Sequence, residues 1–404
     1  MKRFLLASLI SAFTVSAAPC SIAAAQDAIS QDSKAATSLM GISKVKPESG
    51  PFVEYNGVFM VPYVHEIERT SIKFEMIPVP GGEVVVGSPA DEDGRADDEG
   101  PQYTVTLPPY WVAKTELTWG EYKTFMRMYD VFKRLAGEGA RTVNDENRAD
   151  AITVPTPLYD PAHTFEYGED KAQPAVTMTQ YAAKQYTKWL SGITGVEYRI
   201  PTEAEWEHAA RAGAKTAYSF GNDPAELDKY ATFSDNASGA AAKVGTKEPN
   251  AFGLHDMHGN VWEWTIDQYD AAGFGDRGGK KLSWKDGTAW PTEQDSRCVK
   301  GGGWQDSADR LRSAARMGSA DEDWKESDPN VPLSPWWFTT DPARMVGMRL
   351  VRSAEPLTPE LKKLFWDIDN ETTQEDVAFR LKEGRGAIGL PVPELIKEFQ
   401  RRAR

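Results

Sequence analysis

The chain has 404 residues, of which 40% are hydrophobic and 26% charged, and its formal net charge is −14 at pH 7. A chain of this length can bury one large core or two domains. An acidic surface repels phosphate groups, so the composition argues against nucleic acid and anionic membranes as partners.

The N-terminus has the organisation of a secretory signal peptide. Two basic residues precede a short apolar run over residues 4–10, and residues 23–25 form an Ala-Ala-Ala cleavage site. The apolar run is too short to cross a bilayer. We therefore expect removal of residues 1–25 and a periplasmic or secreted protein without a membrane span. A lipid anchor at Cys20 is the alternative, which Pro19 disfavours.

Cleavage would leave Cys298 as the single cysteine of the mature chain. One cysteine cannot form an internal disulfide, so the oxidising compartment would not be used for cross-linking. Because Cys298 precedes Val299 in a strand-like run, we predict a small buried side chain. A reactive thiol is the alternative.

Two strands are predicted after a polar N-terminal stretch. Residues 26–71 are interpreted mainly as a polar linker, and the folded part is predicted to begin at Ile72. The run "EVVV" after a Gly-Gly pair predicts one strand, and the alternating "TVTL" at residues 104–107 predicts a half-buried second strand. The acidic stretch over residues 91–99 between them is interpreted as a solvated loop.

Three threonines mark helix starts in the middle of the chain. Thr118 with Glu121 forms a capping box, and Thr179 and Thr202 each precede an amphipathic run. The intervening residues 136–172 are long, polar and proline-containing. Stretches of this kind are usually functional or inserted.

The C-terminal residues 354–404 are predicted to be helical. Thr358, followed by proline, opens one helix, Thr372 with Glu375 opens a second, and a third short helix surrounds Leu395. Their apolar faces must be buried, so we expect them to pack back onto the domain. Docking of a protein partner through these helices is the alternative.

Six motifs in a fixed order carry a family resemblance. They are "VPGGEVVVGSP", "VAKTELTWGEY", "RIPTEAEWEHAARAG", "NAFGLHDMHGNVWEW", "VKGGGWQDSADRLRSAAR" and "VGMRLVR". Together, over residues 72–353, they resemble the sulfatase-modifying factor family, typified by the formylglycine-generating enzyme. The resemblance implies a single α+β domain of the C-type-lectin-like kind with much irregular structure, here followed by a short helical extension.

The resemblance also implies one structural calcium site in the segment 253–264. Carried over by position, its ligands are the side chains of Asp256 and Glu263 and the main-chain carbonyls of Gly259 and Val261. Calcium prefers carboxylate and carbonyl oxygens, so this donor set is chemically reasonable.

Two other interpretations of the same segment remain. The first is core packing without a metal, since two tryptophans flank Glu263 and would point into the core. The second is a transition-metal cluster formed by His255, Asp256 and His258.

The catalytic cysteines of the family enzyme have no counterpart in this chain. The enzyme binds Cu(I) with two cysteines, five residues apart, after a Gly-Gly-Ser turn, because soft thiolates suit Cu(I). Here the turn ends in Gly303 and Trp304, and the cysteine positions fall on Asp306 and Leu311, unless the second position is deleted. Copper is therefore not expected, and catalytic residues are unknown.

Four residues are candidates for the cleft that this turn would form: Trp304, Asp306, Asp309 and Arg310. An aromatic ring beside charged groups can hold a peptide or a small polar ligand. Nearby, Arg312 and Arg316 could recognise a carboxylate. They could equally pair with Glu205, Glu207 or the acidic residues 321–323.

Two functions are compatible with these observations. The first is a calcium-stabilised binding or accessory module. The second is an oxidoreductase with an altered active site, acting on a peptide cysteine or a secreted metabolite. The chain has five histidines and no His-x-x-x-His pair, which disfavours the iron-dependent ergothioneine-type branch of the family. No motif selects the pyoverdine-maturation branch.

Overall fold

A computed structural model describes residues 40–158, 161–329 and 332–397. The predicted signal peptide and the first part of the predicted linker lie outside these residues. Within the described ranges, no helix has the length and apolar character that crossing a bilayer requires.

Eight short strands precede the first α-helix, and strands and helices are interspersed after it. The strands are β1 (Ile42–Ser43), β2 (Val53–Tyr55), β3 (Val58–Met60), β4 (Tyr63–Glu66), β5 (Lys73–Val79), β6 (Gly82–Val86), β7 (Tyr103–Leu107), β8 (Tyr110–Ala113), β9 (Ile152–Val154), β10 (Trp262–Gln268), β11 (Lys281–Ser283), β12 (Arg297–Lys300), β13 (Arg316–Gly318), β14 (Val346–Gly347), β15 (Val351–Ser353) and β16 (Ala387–Gly389). The helices are α1 (Trp119–Met126), α2 (Met128–Gly137), α3 (Pro161–Thr164), α4 (Gln180–Thr194), α5 (Glu203–Arg211), α6 (Leu227–Tyr230), α7 (Trp284–Gly287), α8 (Asp321–Trp324), α9 (Pro359–Trp366) and α10 (Glu371–Lys382). This mixture confirms the predicted α+β class.

The sheet with strand order β13-β12-β10-β14 organises the centre of the molecule. Strand β10 pairs antiparallel with β12, where Glu263 lies opposite Lys300, and parallel with β14, where Glu263 lies opposite Gly347. The segment before β10, the turn after β12 and the chain after β14 therefore meet at one place.

A second sheet, with order β15-β8-β5-β4, brings another part of the chain to the same place. The backbone N–H of Leu117 donates to the Met348 carbonyl at 2.9 Å, so the chain after β8 runs beside the residues that link β14 to β15. Three smaller sheets complete the fold, with orders β11-β7-β6, β1-β3-β2 and β16-β9.

Helix α4 crosses the core and is buried on nearly all sides. Its predicted apolar face is fully buried, including Tyr186 and Trp189 at 0% exposure. The opposite face is buried as well, and its polar groups have partners: Lys184 Nζ donates to Asp369 at 2.9 Å and Gln185 Nε2 to the Trp366 carbonyl at 2.9 Å. The extension at the C-terminus supplies both of those partners.

The three predicted threonine caps are confirmed. The Thr118, Thr179 and Thr202 side chains accept hydrogen bonds from backbone N–H groups in the first turns of α1, α4 and α5. Glu121 returns the bond to the Thr118 N–H at 2.8 Å, which completes the predicted capping box. These caps satisfy N–H groups that a helix start leaves without an intrahelical acceptor.

The structure corrects the predicted linker over its described residues. Residues 42–66 form four strands, and β4 pairs antiparallel with β5. Met60 and Ile67 are buried in the main core, at 0% and 4% exposure. The polar average composition of residues 26–71 concealed short strands, of which β3 and β4 bury Met60 and Tyr63 although Val64 stays exposed.

The C-terminal extension packs back onto the domain. Phe365 and Leu395 are fully buried in the main core, and β16 pairs antiparallel with β9. The second helix begins two residues earlier than predicted, because Asn370 rather than Thr372 is its N-cap and accepts from the Thr373 N–H at 2.8 Å. Asparagine caps helices at least as well as threonine.

Candidate functional site

The segment before β10 forms a tight left-handed turn. Asp256, Gly259 and Asn260 have φ values of 57°, 87° and 61°. At Gly259 a Cβ atom would collide with the Thr232 carbonyl oxygen, so the close approach requires glycine. The Asn260 N–H donates to the same carbonyl at 2.7 Å and the Gly259 N–H to the Gly301 carbonyl at 2.8 Å, which fixes the turn.

Directly after this turn, Glu263 forms a buried ion pair with Arg349. Both side chains are 0% exposed. Arg349 Nε donates to both carboxylate oxygens at 3.0 Å, its Nη2 donates to Oε1 at 2.7 Å, and Trp206 Nε1 donates to Oε2 at 2.7 Å. Three N–H groups thus engage both oxygens of the Glu263 carboxylate, with Arg349 Nε shared between them.

Two more carboxylates lie beside this pair, Glu116 and Asp256, at 1% and 2% exposure. Glu116 Oε2 accepts from Asn260 Nδ2 at 3.1 Å, and Asp256 Oδ2 accepts from the Gly245 N–H at 2.6 Å. Burial, followed by the Asp256 and Glu263 charges, raises the pKa of Glu116 well above its usual value. Burial also raises the pKa of Asp256, although the Gly245 hydrogen bond opposes the shift. Three buried carboxylates thus face one guanidinium.

The surplus of negative charge fits a hard cation, but only part of the predicted donor set is open to one. Asp256, Gly259 and Val261 belong to the one segment before β10, whereas both oxygens of Glu263 are hydrogen-bonded to Arg349 and Trp206. Among the described residues, no three His, Cys, Asp or Glu side chains form a group that could hold a metal. A cation here would therefore need carbonyl as well as carboxylate oxygens, as calcium commonly does.

Glu116 was not predicted from the sequence. It lies between β8 and the cap of α1, and it is the single charged residue of the run from Thr115 to Gly120. A single charged side chain between a buried strand and a helix start is only weak evidence for a functional site. The position of Glu116 beside Asn260 results from contacts between distant parts of the chain, which no local sequence pattern predicts.

The histidines of the segment do not form a transition-metal cluster. His258 Nδ1 lies 2.8 Å from the Leu311 carbonyl and its Nε2 lies 3.0 Å from Ser219 Oγ, so both ring nitrogens have protein partners. His255 Nδ1 lies 2.7 Å from the Lys247 carbonyl. Burial lowers the pKa of His258 to about 4, so the ring is neutral at pH 7.

The turn after β12 holds the positions that correspond to the enzyme's cysteines. Asp306 Oδ2 accepts from Trp262 Nε1 at 2.7 Å and from the Gly303 N–H at 2.7 Å, so this carboxylate closes the turn. Leu311 is fully buried in a small cluster with Tyr218 and other apolar side chains. Both positions are structural in this chain.

Cys298 lies in β12, before the turn, and is fully buried as predicted. Burial is the main cause that raises the pKa of its thiol, and the charge of Glu203 adds to it. A thiol held neutral in this way is a poor nucleophile and a poor copper ligand.

The four cleft candidates are only partly brought together. Trp304 is 6% exposed, lies beneath Tyr167 with a ring distance of 5.0 Å, and has no acceptor for its indole N–H. The Arg310 guanidinium lies 5.0 Å from the Trp262 ring, next to Asp306. Asp309 is exposed and accepts from Ser307 Oγ. A groove of about 1050 Å³ lies elsewhere, between α9, the end of α4 and residues 390–396.

Arg312 and Arg316 are structural, but their partners differ from the predicted ones. Arg312 pairs with Glu92 and Glu99, and Arg316 binds Glu203 at 2.7 and 2.9 Å. The acidic stretch 91–99 is therefore not simply a solvated loop. Two of its carboxylates, those of Glu92 and Glu99, neutralise the buried Arg312.

Comparison with known proteins identifies the family of the domain. Residues 64–327 match the model of the sulfatase-modifying factor enzyme 1-like domain. Since this match spans most of the chain, the protein belongs to that family. The fold is accordingly a single α+β domain of the formylglycine-generating enzyme type.

Three relatives illustrate the range of the similarity. The inactive C-alpha-formylglycine-generating enzyme 2 of Bos taurus is 28% identical over 277 residues, covering 60% of this chain and 82% of the relative. The formylglycine-generating enzyme of Thermomonospora curvata is 27% identical over 219 residues, covering 48% of this chain and 72% of the relative. Variable protein 1 of Treponema denticola has a solved structure with a TM-score of 0.50, 20% identity and coverage of 72% and 99%, which shows the fold alone.

Proposed function

We propose that the protein is an exported binding or accessory module of its family, stabilised by calcium and without copper-dependent formylglycine-generating chemistry. One observation carries the proposal. The chain has two cysteines, and neither Cys20 nor Cys298 occupies a position of the enzyme's copper-binding pair.

The residues at those positions support this proposal. Asp306 Oδ2 accepts hydrogen bonds from Trp262 and from Gly303, so this carboxylate holds the turn in place. Leu311 contributes an apolar side chain that neither binds a metal nor transfers a proton. The same geometry disfavours an oxidoreductase that uses Asp306.

The relatives include a precedent for lost catalysis. The bovine relative is named as an inactive formylglycine-generating enzyme, and it matches this chain over 82% of its own length. A family domain that has lost its chemistry can still use its surface for recognition, because function depends on the site rather than the fold.

The calcium and export components rest on separate grounds. Three buried carboxylates share one guanidinium, and such a charge surplus is unfavourable in a low-dielectric interior unless protons or a cation neutralise it. Calcium is the cation whose donor preference fits an all-oxygen site. Export rests on the signal-peptide pattern of residues 1–25.

The surface around the turn after β12 combines charged and aromatic side chains that suit ligand recognition. Arg310, which lies over the Trp262 ring, and Asp309 provide opposite charges, and Tyr167 packs against Trp304, a combination suited to a peptide or a small polar ligand. The extension could add a protein-binding surface, since Leu364 and Phe379 stay 37% and 44% exposed while the rest of the apolar face is mostly buried.

The test is a formylglycine assay with a positive control. The chain from Gln26 onward would be loaded with Cu(I), mixed with a cysteine-containing sulfatase peptide in aerated buffer, and the peptide analysed by mass spectrometry. The Thermomonospora curvata enzyme serves as the control. We expect conversion of the cysteine to the aldehyde by the control alone. Conversion by this protein would overturn the proposal.

A further inference from the structure

A small cavity lies where the C-terminal extension meets the core of the domain. It has a volume of about 30 Å³, and its lining comes from the start of α4, the start of β12, the residues in and after α8 and the connection between α9 and α10. A buried water molecule needs roughly 10–15 Å³ of such space. The cavity therefore has room for about two oxygen-sized atoms.

Three cationic side chains line this cavity, and all of them are buried. Lys184, Arg297 and Lys325 are 1%, 4% and 4% exposed. The two oxygens of Asp369 accept from Lys184 Nζ at 2.9 Å and from Arg297 Nη2 at 2.7 Å. Burial nevertheless lowers the pKa of Lys184 and of Arg297, so the carboxylate that they share does not fully replace the hydration that they lose.

Protein acceptors use the Arg297 guanidinium only in part. Its Nε donates to the Gln294 carbonyl at 3.2 Å, but its buried Nη1 has no hydrogen-bond partner among the residues that the structure describes. Lys325 Nζ lies 3.8 Å from Asp321 Oδ2, which is beyond hydrogen-bond range. Because an unpaired buried donor is costly, a native structure normally supplies it with an acceptor.

The carboxylates of the lining do not fully balance these cations. Asp367 is also paired with Lys188, at 2.8 Å, and Lys188 is outside the lining. Asp369 and Asp321 therefore remain against three cations. The nearby carboxylates that lie outside the lining are those of Asp295 and Asp376. The lining can thus accept one further negative charge.

Two helix starts contribute to the same cavity. Thr179 is the N-cap of α4 and Asn370 is the N-cap of α10, and both residues line the cavity. The start of a helix carries a partial positive charge and N–H groups without intrahelical acceptors, so it favours an anion. This contribution adds to that of the three cationic side chains.

We propose that this cavity binds a carboxylate group, supplied by a small organic acid or by the C-terminus of a peptide, with Arg297, Lys184 and Lys325 as its donors. A carboxylate brings a single negative charge and two oxygens, which match the charge and the volume of the cavity. A phosphate dianion is larger, and Asp321 and Asp369 would repel it. The inference does not depend on the proposed calcium binding.

A bound carboxylate would hold the extension against the domain. Lys184 and Arg297 belong to α4 and β12, whereas Asp369 and Asn370 belong to the extension. Ile368 is a partly exposed residue of the lining, so solvent reaches the cavity from the extension side.

The first probe is acetate, which replaces chloride at constant ionic strength while the unfolding temperature is recorded. We expect the unfolding temperature of the wild type to rise with the acetate concentration, because a ligand of the folded state stabilises it. Acetamide has a similar shape and no charge, and it should produce no rise.

Titration calorimetry with acetyl-Ala-Ala and with its C-terminal amide distinguishes the two sources of the carboxylate. Tighter binding of the peptide acid than of acetate would support a peptide C-terminus. Equal or weaker binding would support a small organic acid. Binding of the amide or of acetamide as tight as that of the acids would overturn the proposal.

Two variants remove donors from the cavity, Arg297→Lys and Lys325→Met. The matched control is Arg312→Lys, because Arg312 is likewise buried, at 2% exposure, but is paired with Glu92 and Glu99. We expect each cavity variant to weaken acetate binding roughly tenfold or more, as the loss of a hydrogen bond to a charged group implies. Arg312→Lys should bind acetate like the wild type.

Two further results would overturn the proposal. One is a wild-type unfolding temperature that does not rise when acetate replaces chloride. The other is an equal rise in the wild type and in both cavity variants, because the effect of acetate would then be a general solvent effect. If Arg297→Lys fails to fold, Lys325→Met decides alone, since Lys325 Nζ makes no direct hydrogen bond to Asp321.

Discussion

Arg349 and Glu263, 86 residues apart in the sequence, form a fully buried ion pair whose closest contact is 2.7 Å. The pair joins the connection between β14 and β15 to the strand β10 at the centre of the fold. Because Glu116 and Asp256 lie beside it, Arg349 is the cation that the protein itself supplies to a strongly acidic interior.

Replacing Arg349 with methionine should lower the free energy of unfolding by about 3–5 kcal/mol, since a buried carboxylate would lose its partner. Chemical denaturation measures this. Lys73→Met is the control, because Lys73 and Glu66 form an exposed pair at 2.7 Å, and such pairs contribute about 0–1 kcal/mol. An equal decrease in the free energy of unfolding in the two variants would show that the buried pair of Arg349 stabilises the fold no more than an exposed pair.

Asp306 should behave as a structural residue rather than a catalytic one. Asp306→Ala removes the acceptor of Trp262 Nε1 and of the Gly303 N–H, and we expect a loss of about 1–3 kcal/mol in the free energy of unfolding. Asp309→Ala, at an exposed position three residues on, should change it by less than about 0.5 kcal/mol. A stable Asp306→Ala protein would contradict the assignment.

Cys298 should not react in the native protein. Its thiol is fully buried and its pKa is raised, so iodoacetamide at pH 8 should leave it unmodified until denaturant is added. Peptide mapping by mass spectrometry distinguishes Cys298 from Cys20 if both are present. Rapid modification of Cys298 under native conditions would revive the reactive-thiol interpretation.

Ionisation of the buried Glu121 should lower the free energy of unfolding as the pH rises. Burial raises its pKa from 4.5 to about 7, so the folded protein favours the protonated acid. The stabilisation that results from this raised pKa is fully present below about pH 4.5 and is lost as the pH rises through about 7. Since one pKa unit equals about 1.4 kcal/mol, Glu121→Gln should gain on the order of 3 kcal/mol over the wild type between these pH values.

The measurement is the free energy of unfolding of both proteins across that pH range. Glutamine retains an oxygen for the capping box, so the helix start is preserved. Glu54→Gln, at an exposed strand position, serves as the control for removing a surface carboxyl. A pH-independent difference between Glu121→Gln and the wild type would contradict the prediction.

Local chemistry made several features of this fold predictable. Thr118 and Thr202 precede their helices with glutamate three residues on, and that pattern fixes a helix start without help from the rest of the chain. Gly259 was predictable in the same way, because a tight turn needs a residue that tolerates positive φ.

Features that depend on distant contacts were not predictable. Nothing near Glu116 in the sequence indicates that Asn260 will hold its carboxylate, and nothing near Glu263 indicates that Arg349 will bind it. The family resemblance placed Glu263 in a cation site, but it could not report competition from an arginine of the same chain. The short strands of residues 42–66 were missed because burial, not composition, defines them.

We propose that this family domain uses a hard cation for stability and no copper. Metal analysis of the chain from Gln26 onward, purified without chelators, tests this proposal. We expect about one calcium per chain, with copper and iron at background. Stoichiometric copper or iron would contradict it and would point to oxygen-dependent chemistry instead.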